Sequence, residues 1–361
     1  MIKLVKRLII AFILLSVIPY LLPVSNSLPK NFRPYDNTSY YTINKTSIHY
    51  RQWLPEGDIK GKVLLVHGFG GSTFSFEKII SNLTSQGYLV VAADLPGFGY
   101  SSRNQYYDHS QANRSKDLWK LLYYLDGKNN NNLPWTLLGH SMGGNTVAQM
   151  ALADPKQTTA LIILDGAFGE SGNDFMKILV SYPPVFRWLE VISYNLLQNK
   201  LVVSTLLKEA YGRKASPEEI TGYLEPLELP NASNTLPAII KTQLNLPLEA
   251  VKDLQLKTLI IWGSQDKVIP LAEGEKLQLE ITDSIFKIIE NGGHIPMETQ
   301  PQEFNEIINE FICPVMNNIH INFKNMNLND LKNDWIEDFA NPMIIAGPCS
   351  AESESQMLET A

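Results

Sequence analysis

The sequence predicts an α/β protein: a mostly parallel, eight-stranded sheet with helices on both faces, an inserted helical cap, and a hydrophobic helix at the N-terminus. Three observations carry this. Short, wholly apolar runs alternate with stretches whose apolar residues recur at helical spacing, the pattern of strands buried on both faces by crossover helices. Each run ends in a turn rich in Gly, Asp or His, at the strand ends where an open parallel sheet presents ligand-binding residues. From about Gly169 to Val251 the alternation lapses into helical patterns broken by proline, and then it resumes.

Composition sets the bounds. With 361 residues, 44% hydrophobic and 19% charged, the chain can build one large domain with insertions or two smaller ones. A formal net charge of -7 speaks against a nucleic-acid binder, which needs a basic face. Cys313 and Cys349 stand far apart and late, so no disulfide framework is implied. No Cys/His cluster with zinc spacing occurs before them, and neither metal nor cofactor is expected.

Residues 1–27 read as a signal peptide or a signal anchor. Lys3, Lys6 and Arg7 precede an uncharged apolar run from Leu8 to Leu22, which leaves the basic end in the cytoplasm. Ser25 and Ser27 offer a small-x-small cleavage site, and the run is close to the ~17 residues that span a bilayer. Both forms place the rest of the chain outside the cytoplasm. From Ser39 to Leu54, alternating residues predict a hairpin turning at Asn44-Lys45, with His49 a plain strand residue. Val63–Val66 is a buried strand ending in His67-Gly68-Phe69-Gly70-Gly71, followed by a helix from Thr73 to Gln86 with Gly87 at its C-cap. Leu89–Ala93 is the next strand, closed by Asp94-Leu95-Pro96-Gly97-Phe98-Gly99-Tyr100-Ser101, and a helix spans Ala112 to Leu125 before a polar loop.

Trp135–Leu138 then leads into Gly139-His140-Ser141-Met142-Gly143 and a helix over Asn145–Ala153. A strand feeding a helix through G-x-S-x-G is the context of a nucleophile elbow. Ala160–Leu164 ends at Asp165. The cap follows over 169–251, and its aromatics, among them Phe175, Tyr182, Trp188, Tyr211 and Tyr223, are expected to form its own core. Thr258–Trp262, a helix over 271–279, Ser284–Ile289 and a helix from Gln302 to Ile312 complete a core of 39–168 and 252–312.

A serine becomes nucleophilic at neutral pH through a neighbouring base, and that base needs a carboxylate to hold its tautomer. Asp266 and His294 each follow a strand end and come in hydrolase order after Ser141. His67 and His140 belong to turns beside Ser141, and His49, His109 and His320 lie outside any strand-end turn. His294 is therefore the candidate base. Asp266 is the candidate acid, with Asp165 in reserve. The oxyanion donors are the backbone N–H groups of Phe69 and Met142, while His67 is expected to brace its loop.

In order, H-G-F-G-G, D-L-P-G-F-G-Y-S, G-H-S-M-G-G, G-S-Q-D and G-G-H-I-P resemble the α/β-hydrolase superfamily over about Tyr40 to Ile312. The resemblance implies the α/β-hydrolase fold and a serine hydrolase using Ser141, Asp266 and His294. It also spans carboxylesterases, monoacylglycerol-type lipases, carbon–carbon bond hydrolases and perhydrolases. Ser rather than Asp as the nucleophile disfavours epoxide hydrolases and dehalogenases. A small-molecule ester of an apolar acyl group is the expected substrate, with a membrane as partner through an uncleaved N-terminus; a non-catalytic binding protein of the same fold is the alternative. After a linker over 313–325, residues 326–361, with Asn341-Pro342-Met343-Ile344-Ile345-Ala346-Gly347-Pro348-Cys349-Ser350, resemble the start of a DAHP synthase. In that family the cysteine matching Cys349 is a metal ligand. One strand cannot close a barrel, so 326–361 is expected to be an inactive fragment of a neighbouring reading frame.

Overall fold

A computed structural model describes residues 2–24, 33–169 and 174–312. The cleavage site, the linker and the DAHP-synthase-like stretch lie outside the described residues. The chain divides into two compact units, Met1–Asn305 and Glu306–Ala361. Of the second, the end of a helix, Pro301–Ile312, falls among the described residues.

The first unit opens with a helix, α1 (Ile2–Val17), extended by a 3-10 turn over Ile18–Leu21. The predicted hairpin follows as β1 (Thr38–Ile43) and β2 (Thr46–Trp53), turning at Asn44 with φ 54°. Asn tolerates this left-handed conformation better than most residues. Next come β3 (Gly61–Val66), α2 (Glu77–Ser85), β4 (Tyr88–Ala93), α3 (Gln111–Asn129), β5 (Trp135–His140), α4 (Met142–Ala153) and β6 (Thr158–Leu164). An inserted stretch holds α5 (Asp174–Ser181), α6 (Pro183–Leu197), α7 (Lys200–Tyr211), α8 (Pro217–Leu224) and α9 (Thr235–Thr242). The sheet resumes with β7 (Thr258–Gly263), α10 (Leu271–Glu280) and β8 (Ile285–Ile289), and α11 (Pro296–Thr299) and α12 (Pro301–Ile312) follow.

The eight strands form one sheet in the order β1-β2-β4-β3-β5-β6-β7-β8. β1, β2 and β4 pair antiparallel; from β4 through β3 to β8 every pair is parallel. Consecutive residues of β3, Val63 to Val66, are all buried, as a strand covered on both faces requires. Leu64 and Val66 join Leu118 and Leu122 of α3 and Val147 and Met150 of α4 in the main apolar cluster. The chain leaves β3 for β4 on one side and returns to β5 on the other. The turns after β3 and β5 therefore flank the point where strand order reverses, the crevice in which α/β sheets bind ligands.

Three local expectations are corrected. The helix expected to stop at Leu125 continues through Gly127 to Asn129, and Asn130 ends it with φ 47°. One glycine costs a helix about 1 kcal/mol, too little to end it where the left-handed cap lies further on. The helix expected from Thr73 starts as a 3-10 turn, Thr73–Phe76, because the Ser72 hydroxyl accepts the Phe74 amide and tightens the entry. The aromatics of the insert do not share one core. Tyr211 is buried, whereas Phe175 and Tyr182 are exposed.

Candidate active site

Ser141 joins β5 to α4 with φ 52° and ψ −120°, a conformation L-residues rarely adopt and one that stores strain. Its neighbours enforce the turn. A Cβ on Gly139 would collide with the Gly143 carbonyl, and one on Gly143 with the carbonyls of Val66 and His67. The Ser141 amide donates to the Leu164 carbonyl at 2.9 Å, which pins the elbow to β6.

His294 Nε2 lies 3.0 Å from Ser141 Oγ, and His294 Nδ1 lies 2.7 Å from Asp266 Oδ2. The other Asp266 oxygen accepts the amides of Val268 at 2.7 Å and Ile269 at 3.0 Å, so a turn after β7 holds the carboxylate aimed at His294. Sequence reading placed these three side chains on separate strand ends; the fold brings them into one hydrogen-bonded line. The reserve carboxyl, Asp165, sits beside it. Its Oδ1 accepts the Gly263 amide at 2.9 Å, while its Oδ2 is buried with no partner. Burial, and then the charge of Asp266, push the Asp165 carboxyl well above the ordinary range. A proton on Oδ2, donated toward Asp266, satisfies the orphaned oxygen. Asp165, Asp266 and His294 also offer atoms within 4.8 Å of one another, as a cation site would. A protonated Asp165 and a His294 nitrogen committed to Asp266 make that set a hydrogen-bond relay instead.

Phe69 borders the same cavity as Ser141, and Met142 opens α4, where first-turn amides have no acceptor inside the helix. Gly68 lets the Phe69 loop press on the elbow: a Cβ there would stand 2.9 Å from Ser141 Cβ. His67 donates from Nδ1 to the Gly68 carbonyl at 2.7 Å and accepts the Leu95 amide at Nε2 at 2.9 Å. Those roles fix one neutral tautomer, and burial holds its pKa down. His49 is a strand residue, as read, but not an idle one: its Nδ1 lies 2.7 Å from Asp94 Oδ2. Asp94 also accepts the amides of Thr73 at 2.6 Å and Tyr100 at 2.7 Å, joining the loops after β3 and β4.

Sequence reasoning missed the residues that hold the histidine loop. His140 Nε2 donates to the His294 carbonyl at 2.7 Å, and the His294 amide donates to the Ala210 carbonyl of α7 at 2.7 Å. Glu298, one turn beyond His294, is buried and accepts the hydroxyls of Tyr211 and Tyr223, each at 2.5 Å. Burial, against the lowering effect of those two hydroxyls and of Lys78, pushes its carboxyl up to about 7. A carboxylate within the apolar Ile295–Met297 surroundings was the one available signal.

Above Ser141 and His294 lies a cavity of about 330 Å³. Its wall is mostly apolar, with Leu197, Val203, Leu207, Leu227 and Leu236 from the insert. Arg103, the cation in the wall, donates to the carbonyls of Gly99 at 2.5 Å, Ser101 at 3.2 Å and Pro226 at 2.7 Å.

The sheet order, the elbow and the strand-end turns define an α/β-hydrolase fold. The chain belongs to the Hydrolase_4 family, described as serine aminopeptidase S33, whose profile matches residues 57–300. It is 26% identical over 279 residues to the uncharacterized hydrolase YugF of Bacillus subtilis (strain 168), covering 75% of this chain and 96% of that one. It is 24% identical to monoacylglycerol lipase ABHD6 of Rattus norvegicus over 72% of this chain and 77% of the relative. Among solved structures, a probable hydrolytic enzyme from Pseudomonas aeruginosa PAO1 superposes with a TM-score of 0.62 at 21% identity, covering 76% of this chain and 93% of that one.

Proposed function

We propose that this serine hydrolase cleaves carboxylic esters of apolar acyl groups through an acyl-enzyme on Ser141. The observation that carries this is the Ser141–His294–Asp266 line at the floor of a leucine-walled cavity. His294 Nε2 takes the Ser141 proton as Oγ attacks the carbonyl carbon. The Phe69 and Met142 amides hold the resulting oxyanion, and Asp266 stabilises the imidazolium. His294 then returns the proton to the departing alkoxide. A water, deprotonated by the same nitrogen, releases the acid and restores Ser141. Helices α6–α9 supply the cavity wall that selects the acyl group. The similarity to a monoacylglycerol lipase supports an apolar chain. Among the described residues lining the cavity there is no Asp or Glu to pair with a free α-ammonium, which disfavours aminopeptidase action despite the family's description.

The test is a fluorophosphonate probe together with p-nitrophenyl esters of graded chain length. Labelling and hydrolysis are expected, and Ser141→Ala should abolish the first and lower turnover by roughly 10⁶-fold. A folded protein that neither labels nor turns over any ester would favour a non-catalytic binding role. Labelling without ester hydrolysis would redirect the search to carbon–carbon bond cleavage.

A further inference from the structure

Helix α1 is not alone on its side of the molecule. Lys3–Leu21, 19 residues of mean hydropathy 2.1, is long and apolar enough to cross a bilayer. The insert grips its second half. The Trp188 indole N–H donates to the Leu15 carbonyl at 2.7 Å, and Arg187 donates to the carbonyls of Pro19 at 3.1 Å and Leu22 at 2.8 Å. The Tyr182 hydroxyl lies 3.2 Å from Ser16 Oγ, and its ring stacks on Phe12 with centroids 6.2 Å apart. Helix α5, which ends beside Tyr182, turns Phe175, Met176, Ile178 and Leu179 outward; Ile178 is 73% exposed. Its two charges, Asp174 and Lys177, pair with each other at 3.0 Å. Further along, Ile192, Leu196, Leu201 and Leu206 are exposed on α6 and α7.

Depth decides what covers this surface. Phe12 precedes Leu22 by ten residues, the first five rises in α1 at about 1.5 Å and the rest through the 3-10 turn at about 2 Å, about 17 Å in all. That is just over half of a hydrocarbon core of about 30 Å. With Leu22 at one interface, Tyr182 beside Phe12 reaches the depth of the bilayer midplane, and α5 cannot stand in water. Arg187 and Trp188 fall between the midplane and that interface, where an arginine can extend its head to water and an indole is at home. We infer that α5 and the start of α6 embed in the non-cytoplasmic leaflet beside α1, so that the insert, and not α1 alone, is the membrane-docking surface. Lys3, Lys6 and Arg7 at the opposite end of α1 set this orientation. Leu206 belongs both to the exposed apolar surface and to the cavity wall, which gives an acyl chain a path from the leaflet. That path rests on the ester-hydrolase reading; the embedding does not.

The experiment uses the full chain in phosphatidylcholine vesicles, with Cys313→Ser and Cys349→Ser and a nitroxide on Ile178→Cys or, as a water-facing control, on Leu279→Cys of α10, 84% exposed. The label at 178 should be relaxed by oxygen and shielded from a water-soluble nickel chelate, and the label at 279 the reverse. Equal nickel access at both positions overturns the proposal. Shielding of 178 from both agents means that protein, such as a second copy, covers α5, and this overturns it too. In a parallel arm, Phe175→Asp/Ile178→Asp should hydrolyse a soluble short-chain ester within two-fold of the parent but a bilayer-borne monoacylglycerol at least ten-fold more slowly. Unchanged rates on both substrates, or the same loss on both, would remove the access path. If the parent hydrolyses neither, the ester reading fails while the label still decides the embedding.

Discussion

Glu298→Gln gives the sharpest prediction about how the insert is fastened to the histidine loop. The carboxyl of Glu298 is buried and joins Tyr211 of α7 and Tyr223 of α8 to α11. Its pKa rises from an ordinary 4.5 to about 7, chiefly through burial. The folded protein therefore holds a proton that the unfolded chain has released between those two values, and stability falls as pH rises through that window. At 1.36 kcal/mol per pH unit, the span from 4.5 to about 7 amounts to about 3 kcal/mol, absent below pH 4.5 and complete above pH 8. Glutamine stays neutral throughout. Its amide oxygen can accept from Tyr211, and its NH₂ can donate to Tyr223 while that hydroxyl donates to Ser75 Oγ, 3.0 Å away. The rearrangement costs about 1 kcal/mol. Urea unfolding at pH 5, 6, 7 and 8 should find the variant slightly less stable than the parent at pH 5 and about 2 kcal/mol more stable at pH 8. Parallel pH–stability curves for the two proteins would refute the buried, proton-holding assignment.

Two further outcomes follow from the same geometry. At Ser141, with φ 52°, glycine relieves strain that alanine keeps. Ser141→Gly should therefore melt several degrees above Ser141→Ala, a gap of roughly 1–3 kcal/mol, and equal melting temperatures would mean an unstrained elbow. Asp266→Asn should lower kcat by about 10⁴-fold, because an amide no longer holds His294 in the working tautomer. Asp165→Asn, which keeps the acceptor for the Gly263 amide and places an NH₂ where the protonated oxygen stood, should stay within a few-fold of the parent. Matching losses in the two variants would exchange the roles of the carboxyls.

What could be read from the sequence follows the physics of each region. β3 to β7 were legible because strands buried on both faces admit little besides Val, Ile, Leu and Ala, so each appears as an unbroken run. Helix ends were less so. Thr73 and Leu125 look like sensible boundaries, but the Ser72 cap and the Asn130 left-handed turn depend on what the backbone packs against. The insert was least legible. Apolar and aromatic periodicity says that a face is buried without saying in what, and Phe175 and Ile178 have the pattern of core residues while facing outward. A bilayer and a protein core select the same side chains.

The acid beside His294 shows the same limit at closer range. Asp165 and Asp266 both follow a strand end, and only spacing and the context of His294 favoured Asp266 in the sequence. The fold separates them by supply of donors. Asp266 has two backbone amides on one oxygen and the histidine on the other, enough to keep a buried carboxylate charged. Asp165 has one amide and an orphaned oxygen, and two carboxylates this close cannot both ionise. The proton therefore settles on Asp165, and the poorer hydrogen-bonding position makes the better-supplied one an anion. On this reading the second carboxyl is not a spare acid. It is a neutral donor beside its neighbour's charge, which is why Asn at 165, a neutral donor as well, should leave turnover within a few-fold of the parent.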